Sequence, residues 1–224
     1  MTKNRLKKTI FISFAGILMS IFAYNLWAYQ GTLLRPFLNA AETDSPHKPL
    51  AEVIKSEVVG PPIPNLLLEV VKSKHTLTLY SGKIPLKSYQ ISLSKDYLQD
   101  KRMAGDRRTP EGSFIITEAT SYSPPRRLIG SKLLLLNYPN KESAMIGFRE
   151  RIITGSDFLA IEKAVGENTT PPQKTPLGGS ISIHGGDGPL MGNSWTDGSV
   201  ALYSKDMEEL FQYVPLGTRV VIKR

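Results

Sequence analysis

The 224-residue sequence contains no cysteine, and this absence excludes several classes of function. Without thiols there is no disulfide framework, no cysteine-ligated zinc or iron–sulfur site and no thiol nucleophile. Neither the G-x-x-x-x-G-K-[ST] phosphate loop nor the H-E-x-x-H zinc motif is present. We therefore expect a protein that uses no metal ion, nucleotide or other cofactor.

Acidic residues are absent from the first 30 residues, which contain four of the basic ones. The whole chain has a net charge of +8, so half of that excess lies in this short stretch. The remaining positive charge is spread thinly over the other residues, whereas a nucleic-acid surface needs Lys and Arg clustered on one face. The composition thus predicts no nucleic-acid partner.

A run of twenty uncharged residues, 10–29, follows this basic cluster. A helix of that length spans roughly 30 Å, the thickness of the hydrocarbon core of a membrane. We interpret residues 1–30 as a cytoplasmic tip and signal anchor, with a cleaved signal peptide and a buried core helix as alternatives. Basic residues stay on the cytoplasmic side, so the rest of the chain is expected outside the cytoplasm.

Residues 31–65 are rich in Pro, Lys, Glu and Ser and predict an extended linker. Residues 66–224 predict a mostly β domain, a β-sandwich or open barrel with a few short helices. Helices are expected at residues 157–165, with Ser156 as a plausible cap, and after Ser204. The predicted strands cover residues 66–71, 76–80, 89–93, 113–117, 132–137, 180–184 and 219–223.

Of the three histidines, only His184 has a setting that indicates chemistry. His47 falls in the predicted linker and His75 in a hairpin turn, where both are expected to be solvated. His184 ends an apolar strand and is followed by the glycine-rich residues 185–188, where the backbone can approach a ligand closely. The alternative is a histidine that only hydrogen-bonds to its own loop.

Six segments follow one another along the chain: GDRRTPEGSF at 105–114, YPN at 138–140, IHG at 183–185, TDGS at 196–199, KDMEEL at 205–210 and VPLGTRV at 214–220. In this order they resemble segments of the L,D-transpeptidase (YkuD-like) catalytic domain, which remodels bacterial peptidoglycan. The resemblance extends over about residues 66–223, and where this chain has TDGS the family has [S/T]-x-G-C with the catalytic cysteine.

The resemblance implies a cell-envelope protein that acts on or binds peptidoglycan stem peptides. By position, His184 would be the base and Ser199 the nucleophile, with the backbone amides of Gly198 and Ser199 as oxyanion donors. The resemblance also makes Gly185 and Thr196 supporting residues. Asp187 and Asp197 are supporting candidates too, since a serine nucleophile needs a third group to orient its base.

Two features depart from the family pattern. Many members have His where Asp197 stands and Arg where Ala201 stands, although a branch with W-T-x-G-C-I-A-L lacks both. More importantly, Ser199 occupies the position of the catalytic cysteine. Four interpretations stay open: a silent member that binds peptidoglycan or a partner enzyme, a working serine acyltransferase or hydrolase, a serine that replaces a native cysteine, and a different function altogether.

Overall fold

The computed structural model describes residues 48–56, 62–186 and 194–224. The described residues form eight strands, four short helices and one 3-10 turn, Lys72–Lys74. The strands are β1 (Leu66–Val71), β2 (Thr76–Ser81), β3 (Ile84–Ser92), β4 (Gly112–Arg126), β5 (Gly130–Leu136), β6 (Ser182–Gly185), β7 (Val200–Leu202) and β8 (Arg219–Lys223). The helices are α1 (Leu50–Ser56), α2 (Lys141–Arg149), α3 (Gly155–Gly166) and α4 (Ser204–Phe211).

The strands form a closed barrel in the order β1-β2-β3-β7-β6-β5-β4-β8. The mostly β class is confirmed, but the expected sandwich or open barrel is instead closed. Closure comes from β8, which pairs in parallel with β1 and antiparallel with β4. This pairing covers the edge of β1 and the first four residues of β4, 112–115, so the backbone groups there are satisfied within the sheet.

The strand interiors follow the alternation seen in the sequence. In β2 the alternate residues Leu77 and Leu79 are fully buried, while Thr76, Thr78 and Tyr80 are partly exposed. A continuous core of aliphatic and aromatic side chains fills the barrel, and such burial supplies the main favourable free energy of folding. The strand β4 is longer than expected, because its second half pairs with β5 in an exposed hairpin beyond the core.

The predicted linker, residues 31–65, contains the helix α1. Leu50 and Ile54 of this helix are buried in the barrel core, which the proline-rich composition of the segment did not indicate. The Leu50 N–H donates to Glu209 Oε1 at 2.6 Å, and Lys87 Nζ and Tyr89 Oη donate to Glu209 Oε2 at 2.7 and 3.0 Å. One carboxylate of α4 thus ties α1 and β3 together.

The predicted membrane segment, residues 10–29, lies outside the described residues. Among the residues that the structure does describe, no helix has the length and hydrophobicity needed to cross a membrane.

The helices differ from the sequence expectations mainly at their ends. The expected helix at 157–165 is α3, but its cap is Thr154, which forms a reciprocal capping box with Asp157. The second expected helix is α4, where Tyr203 holds the cap position and Ser204 is the first helical residue. The helix α2 was not expected, and Asn140 caps it by accepting from the Ser143 N–H at 2.9 Å.

A buried lysine fixes the long loop between β3 and β4. Lys72 is fully buried, and its Nζ lies 2.8 Å from Glu111 Oε1. The same ammonium donates to the carbonyl oxygens of Gln99 and Thr109, both at 3.1 Å. All three partners belong to residues 93–111, so one cation organises a loop that has no regular secondary structure of its own.

We expect Lys72→Met to lower the free energy of unfolding by about 2 to 3 kcal/mol, because it leaves two carbonyls and a carboxylate without their partner. Lys74→Met is the matched control, since Lys74 belongs to the same turn but is exposed, and we expect a change within about 0.5 kcal/mol. Urea denaturation followed by circular dichroism measures both. Equal effects of the two substitutions would contradict the role given to Lys72.

Candidate active site

The candidate site is built on the parallel pair β6–β7. In this pair His184 lies opposite Ala201 and Ile183 opposite Val200. Continuing the register places Ser199 beside Ser182, two residues along the strands from His184, or roughly 6.6 Å. Alternate residues of a strand share a face, so His184 and Ser199 project from the same side of the sheet.

The imidazole of His184 is held in one tautomer by the backbone of the next residue, Gly185. The side chain is 5% exposed, and Nδ1 lies 2.7 Å from the carbonyl oxygen of Gly185. A carbonyl oxygen only accepts, so Nδ1 carries the proton and the neutral ring keeps a lone pair on Nε2. Burial lowers the pKa of His184, against the opposing effect of the hydrogen bond to Gly185. The ring is therefore an oriented, neutral base.

The group that orients His184 is a backbone carbonyl and not a predicted aspartate. Asp197 was a candidate, but its side chain is 94% exposed and its carboxylate lies 3.9 Å from Arg107 Nε. Asp187, the other candidate, lies outside the described residues. The orienting group that the structure places beside His184 is the carbonyl of Gly185. Every residue has a backbone carbonyl, so the sequence could not show that this one binds His184. The family motif indicated Gly185 as a supporting residue but not its role.

The hydroxyl of Ser199 forms hydrogen bonds with Ser182 in β6 and with Ser180, which precedes β6. Ser199 Oγ accepts from the Ser182 N–H at 3.2 Å and lies 3.3 Å from Ser182 Oγ. It also donates to the carbonyl of Ser180 across a long 3.4 Å. Within the described residues, none of the hydrogen bonds of Ser199 Oγ reaches His184. The nucleophile and base positions are thus neighbours that do not contact each other in this state.

The turn that precedes β7 is tightly constrained. Thr196 Oγ1 donates to the Ser199 carbonyl at 2.6 Å and accepts a long 3.4 Å bond from the Gly198 N–H. Gly198 has φ of +141°, and a Cβ there would lie 2.9 Å from the Arg108 carbonyl oxygen and from Ile181 Cδ1. Only glycine fits this position without strain. Thr196, predicted as a supporting residue, and Gly198, predicted as an oxyanion donor, therefore shape the turn.

The loop between β3 and β4 packs against this turn through the Arg108 carbonyl. Asp106 accepts from Lys101 Nζ at 2.7 Å and from the amides of Arg102 and Met103 at 2.7 and 3.0 Å. Burial raises the pKa of Asp106, but these donors outweigh it and hold the pKa below its usual value. The carboxylate is therefore charged and keeps the segment that carries the Arg108 carbonyl in place.

Sequence reasoning did not list Trp195 among the site residues. Its ring meets His184 edge to face, with 5.9 Å between ring centroids and 70° between planes. Its backbone N–H donates to the Leu93 carbonyl at 2.9 Å. The available signal was its position directly before Thr196, as one of only two tryptophans in the chain.

Comparison with known proteins identifies the family of this domain. The family model of the L,D-transpeptidase (YkuD) catalytic domain matches residues 66–222, which is well over half of the chain. The chain belongs to the L,D-transpeptidase family. A comparison with curated proteins gave no match.

Three solved structures are reported as similar to this L,D-transpeptidase domain. The cell shape determining protein Pgp2 from Campylobacter jejuni is 20% identical with a TM-score of 0.50, over 78% of this chain and 54% of that one. Bd1075 from Bdellovibrio bacteriovorus is 19% identical with a TM-score of 0.47, over 73% and 49%. An L,D-transpeptidase from Mycobacterium tuberculosis is 12% identical with a TM-score of 0.43, over 72% and 58%. The chain thus matches about half the length of the first two.

The lowered pKa of His184 predicts how the site responds to acid. Protonated imidazole quenches a neighbouring indole, so we expect Trp195 fluorescence to fall with a midpoint below pH 6.5, the ordinary pKa of histidine. The unfolded chain takes up this proton near pH 6.5 and the folded chain only at lower pH, so stability also falls as the pH drops below 6.5. The measurement is a fluorescence titration in a Trp27→Phe background.

In His184→Gln the transition should disappear, because the titrating group is gone. A midpoint at or above pH 6.5, or a transition that survives in His184→Gln, would contradict this reading of the site.

Proposed function

We propose that this chain is a peptidoglycan-binding member of the L,D-transpeptidase family that holds stem peptides beside His184 and Ser199 with little or no turnover. The observation that carries the proposal is the hydrogen bonding of Ser199 Oγ, which goes to Ser180 and Ser182 and not to the base. Family membership supports peptidoglycan as the ligand.

The chemistry of the substituted atom favours binding over catalysis. A cysteine thiol with a pKa near 8.5 needs only modest help to become a thiolate. A serine hydroxyl is far less acidic and must give its proton to a base during attack. With Ser199 Oγ engaged by the Ser182 N–H, the hydroxyl lacks the contact with His184 through which that proton would leave.

The turn beside the site is well suited to positioning a peptide. The turn at Thr196 and Gly198 has a tight conformation, and the loop at Asp106 packs against it. Loss of turnover in this site does not require loss of binding, because the interactions that hold a substrate are distinct from those that stabilise a transition state.

A second function, acyl transfer or hydrolysis by Ser199, is favoured by the fixed tautomer of His184. In this reaction Ser199 Oγ attacks the carbonyl carbon of a stem-peptide amide while His184 Nε2 takes the hydroxyl proton. The C–N bond then breaks, and the amine leaves with that proton. Water or an acceptor amine resolves the resulting ester. Ser199 must first exchange its contacts with Ser182 for one with His184.

We also propose that the domain works outside the cytoplasm of a bacterial cell, tethered to the cytoplasmic membrane by residues 10–29, or secreted or periplasmic if that segment is cleaved as a signal peptide. The uncharged run of twenty residues and the basic residues before it support the tether. Peptidoglycan is reached on that side of the membrane, in agreement with family membership.

The binding proposal predicts that the full chain, kept in solution with a mild detergent, sediments with purified sacculi. Gly198→Ala should stay in the supernatant, because the added Cβ meets the Arg108 carbonyl at 2.9 Å and distorts the turn. Gly166→Ala is the matched control and should sediment like the wild type, since no atom lies within 4 Å of its Cβ. Circular dichroism confirms that each variant is folded. A wild-type chain that stays in the supernatant would rule the proposal out.

Restoring the thiol separates the two functions. We expect Ser199→Cys to form an acyl-enzyme with muropeptides, visible as a mass increase of the intact protein, because a thiol ionises readily beside an oriented base. The wild type and Ser199→Ala should give no adduct, and Ser199→Cys combined with His184→Gln should lose it. A wild-type adduct that is absent from Ser199→Ala would establish the serine enzyme instead.

A further inference from the structure

An open cleft lies at the end of the barrel where β8 ends and β4 begins. Its volume is about 630 Å³, and it is lined by the loop between β3 and β4, by Glu111 and by Arg224. Cavities of this size hold small organic ligands. The cleft is thus large enough for a short peptide and larger than a free inorganic ion requires.

Three arginines line this cleft without close carboxylate partners. Within residues 48–56, 62–186 and 194–224, neither Arg108 nor Arg224 forms an ion pair. Arg102 Nη1 lies 3.4 Å from Glu150 Oε1, but both side chains are nearly half exposed, so solvent screens the pair. The positive charge of these arginines is therefore available to a ligand.

Two carboxylates also line the cleft, and both are engaged. Glu111 Oε1 lies 2.8 Å from the buried Lys72 Nζ, which compensates its charge. Asp100 Oδ1 accepts from the Glu111 N–H at 2.8 Å. The cleft thus keeps an excess of positive charge, which attracts anions. Asp100 leaves one negative charge inside it, and this opposes a doubly charged phosphate more than a singly charged carboxylate.

We propose that this cleft binds the free carboxylate of a short peptide, with Arg102, Arg108 and Arg224 as donors. A guanidinium group donates two parallel hydrogen bonds to a carboxylate. Leu98, which is 42% exposed and lines the same cleft, offers apolar surface to the rest of the peptide. The naming of the ligand rests on the proposed function, under which it is a second stem peptide of peptidoglycan.

Arg108 connects this cleft to the candidate active site. Its Nη1 donates to the Asp100 carbonyl across a long 3.5 Å, which places the guanidinium beside a residue of the cleft. Its own carbonyl oxygen lies against the turn before β7, 2.9 Å from the position of a Cβ on Gly198. A peptide held in the cleft is therefore about one residue's length away from the turn that borders Ser199.

The test is an NMR titration of the full chain in detergent with a tetrapeptide stem that ends in D-alanine. Arginine Nε–H signals report the cleft and the Trp195 indole N–H signal reports the candidate active site, with Arg102→Gln, Arg224→Gln and Trp27→Phe identifying the signals. We expect saturable shifts at Arg102 and Arg224. Arg224→Gln should weaken the binding read at Arg102 by about fivefold. Arg224 is exposed and has no described ion pair, so its substitution leaves the fold intact.

Two controls separate a site from general charge attraction. Arg127→Gln removes the same charge from an exposed residue outside the cleft and should leave the affinity unchanged. The same peptide with every carboxylate converted to a carboxamide should cause no saturable shift at Arg102 or Arg224. Equal weakening by Arg127→Gln and Arg224→Gln, or binding of the carboxamide peptide, would overturn the inference.

The remaining outcomes distinguish the inference from the proposed function. If the peptide shifts the Trp195 signal and not the arginine signals, the inference is wrong and the proposed function stands. If it shifts only the arginine signals, the cleft is a carboxylate site and the proposed binding beside His184 fails. If no signal shifts, both are wrong. Inorganic phosphate is titrated separately, and tighter binding of phosphate than of the peptide at Arg102 and Arg224 would overturn the assignment to a carboxylate.

Discussion

The candidate site depends on the parallel pairing of two very short strands. The strands β6 and β7 contain four and three residues, and their register alone brings His184 and Ser199 onto one face. Strands this short are not stable by themselves. They persist because β5 flanks β6 and β3 flanks β7 in a barrel with no open edge. Barrel closure between β1 and β8, which contain none of the candidate residues, thus supports the geometry of the site.

Around this pair the structure is rigid. Gly198 and Thr196 fix the turn, the Gly185 carbonyl fixes His184, and Trp195 packs against the ring. These features support the proposed role of holding a stem peptide in one orientation. Under that proposal, an oxygen at residue 199 in place of the family's sulfur weakens the step in which the nucleophile must lose its proton and leaves the other contacts of the site unchanged.

Buried and partly buried charges hold the long loop between β3 and β4 and the helix α1 in place. Lys72 holds the loop between β3 and β4, and Asp106 caps its own segment of the same loop. Glu209, in α4, links α1 to β3. Burial raises the pKa of Tyr89, and the nearby charge of Glu209 raises it further, so the Tyr89 hydroxyl remains a donor. Each of these charges has its partners in place, as a buried charge must if its desolvation is to be compensated.

The sequence by itself determined the mostly β class, most of the strands, the two helices α3 and α4, and the positions of His184 and Ser199. These rest on local signals: alternation in strands, apolar spacing and capping residues in helices, and short motifs at fixed spacing. The sequence did not reveal α1, because its buried side chains pack in the barrel core and its first N–H binds Glu209, more than 150 residues away. Barrel closure, the role of the Gly185 carbonyl, the partners of Ser199 Oγ and the place of Trp195 were decided only by the tertiary structure. Each of these features depends on backbone groups or on residues that are distant in the chain. Such interactions leave no recognisable pattern in the amino-acid sequence.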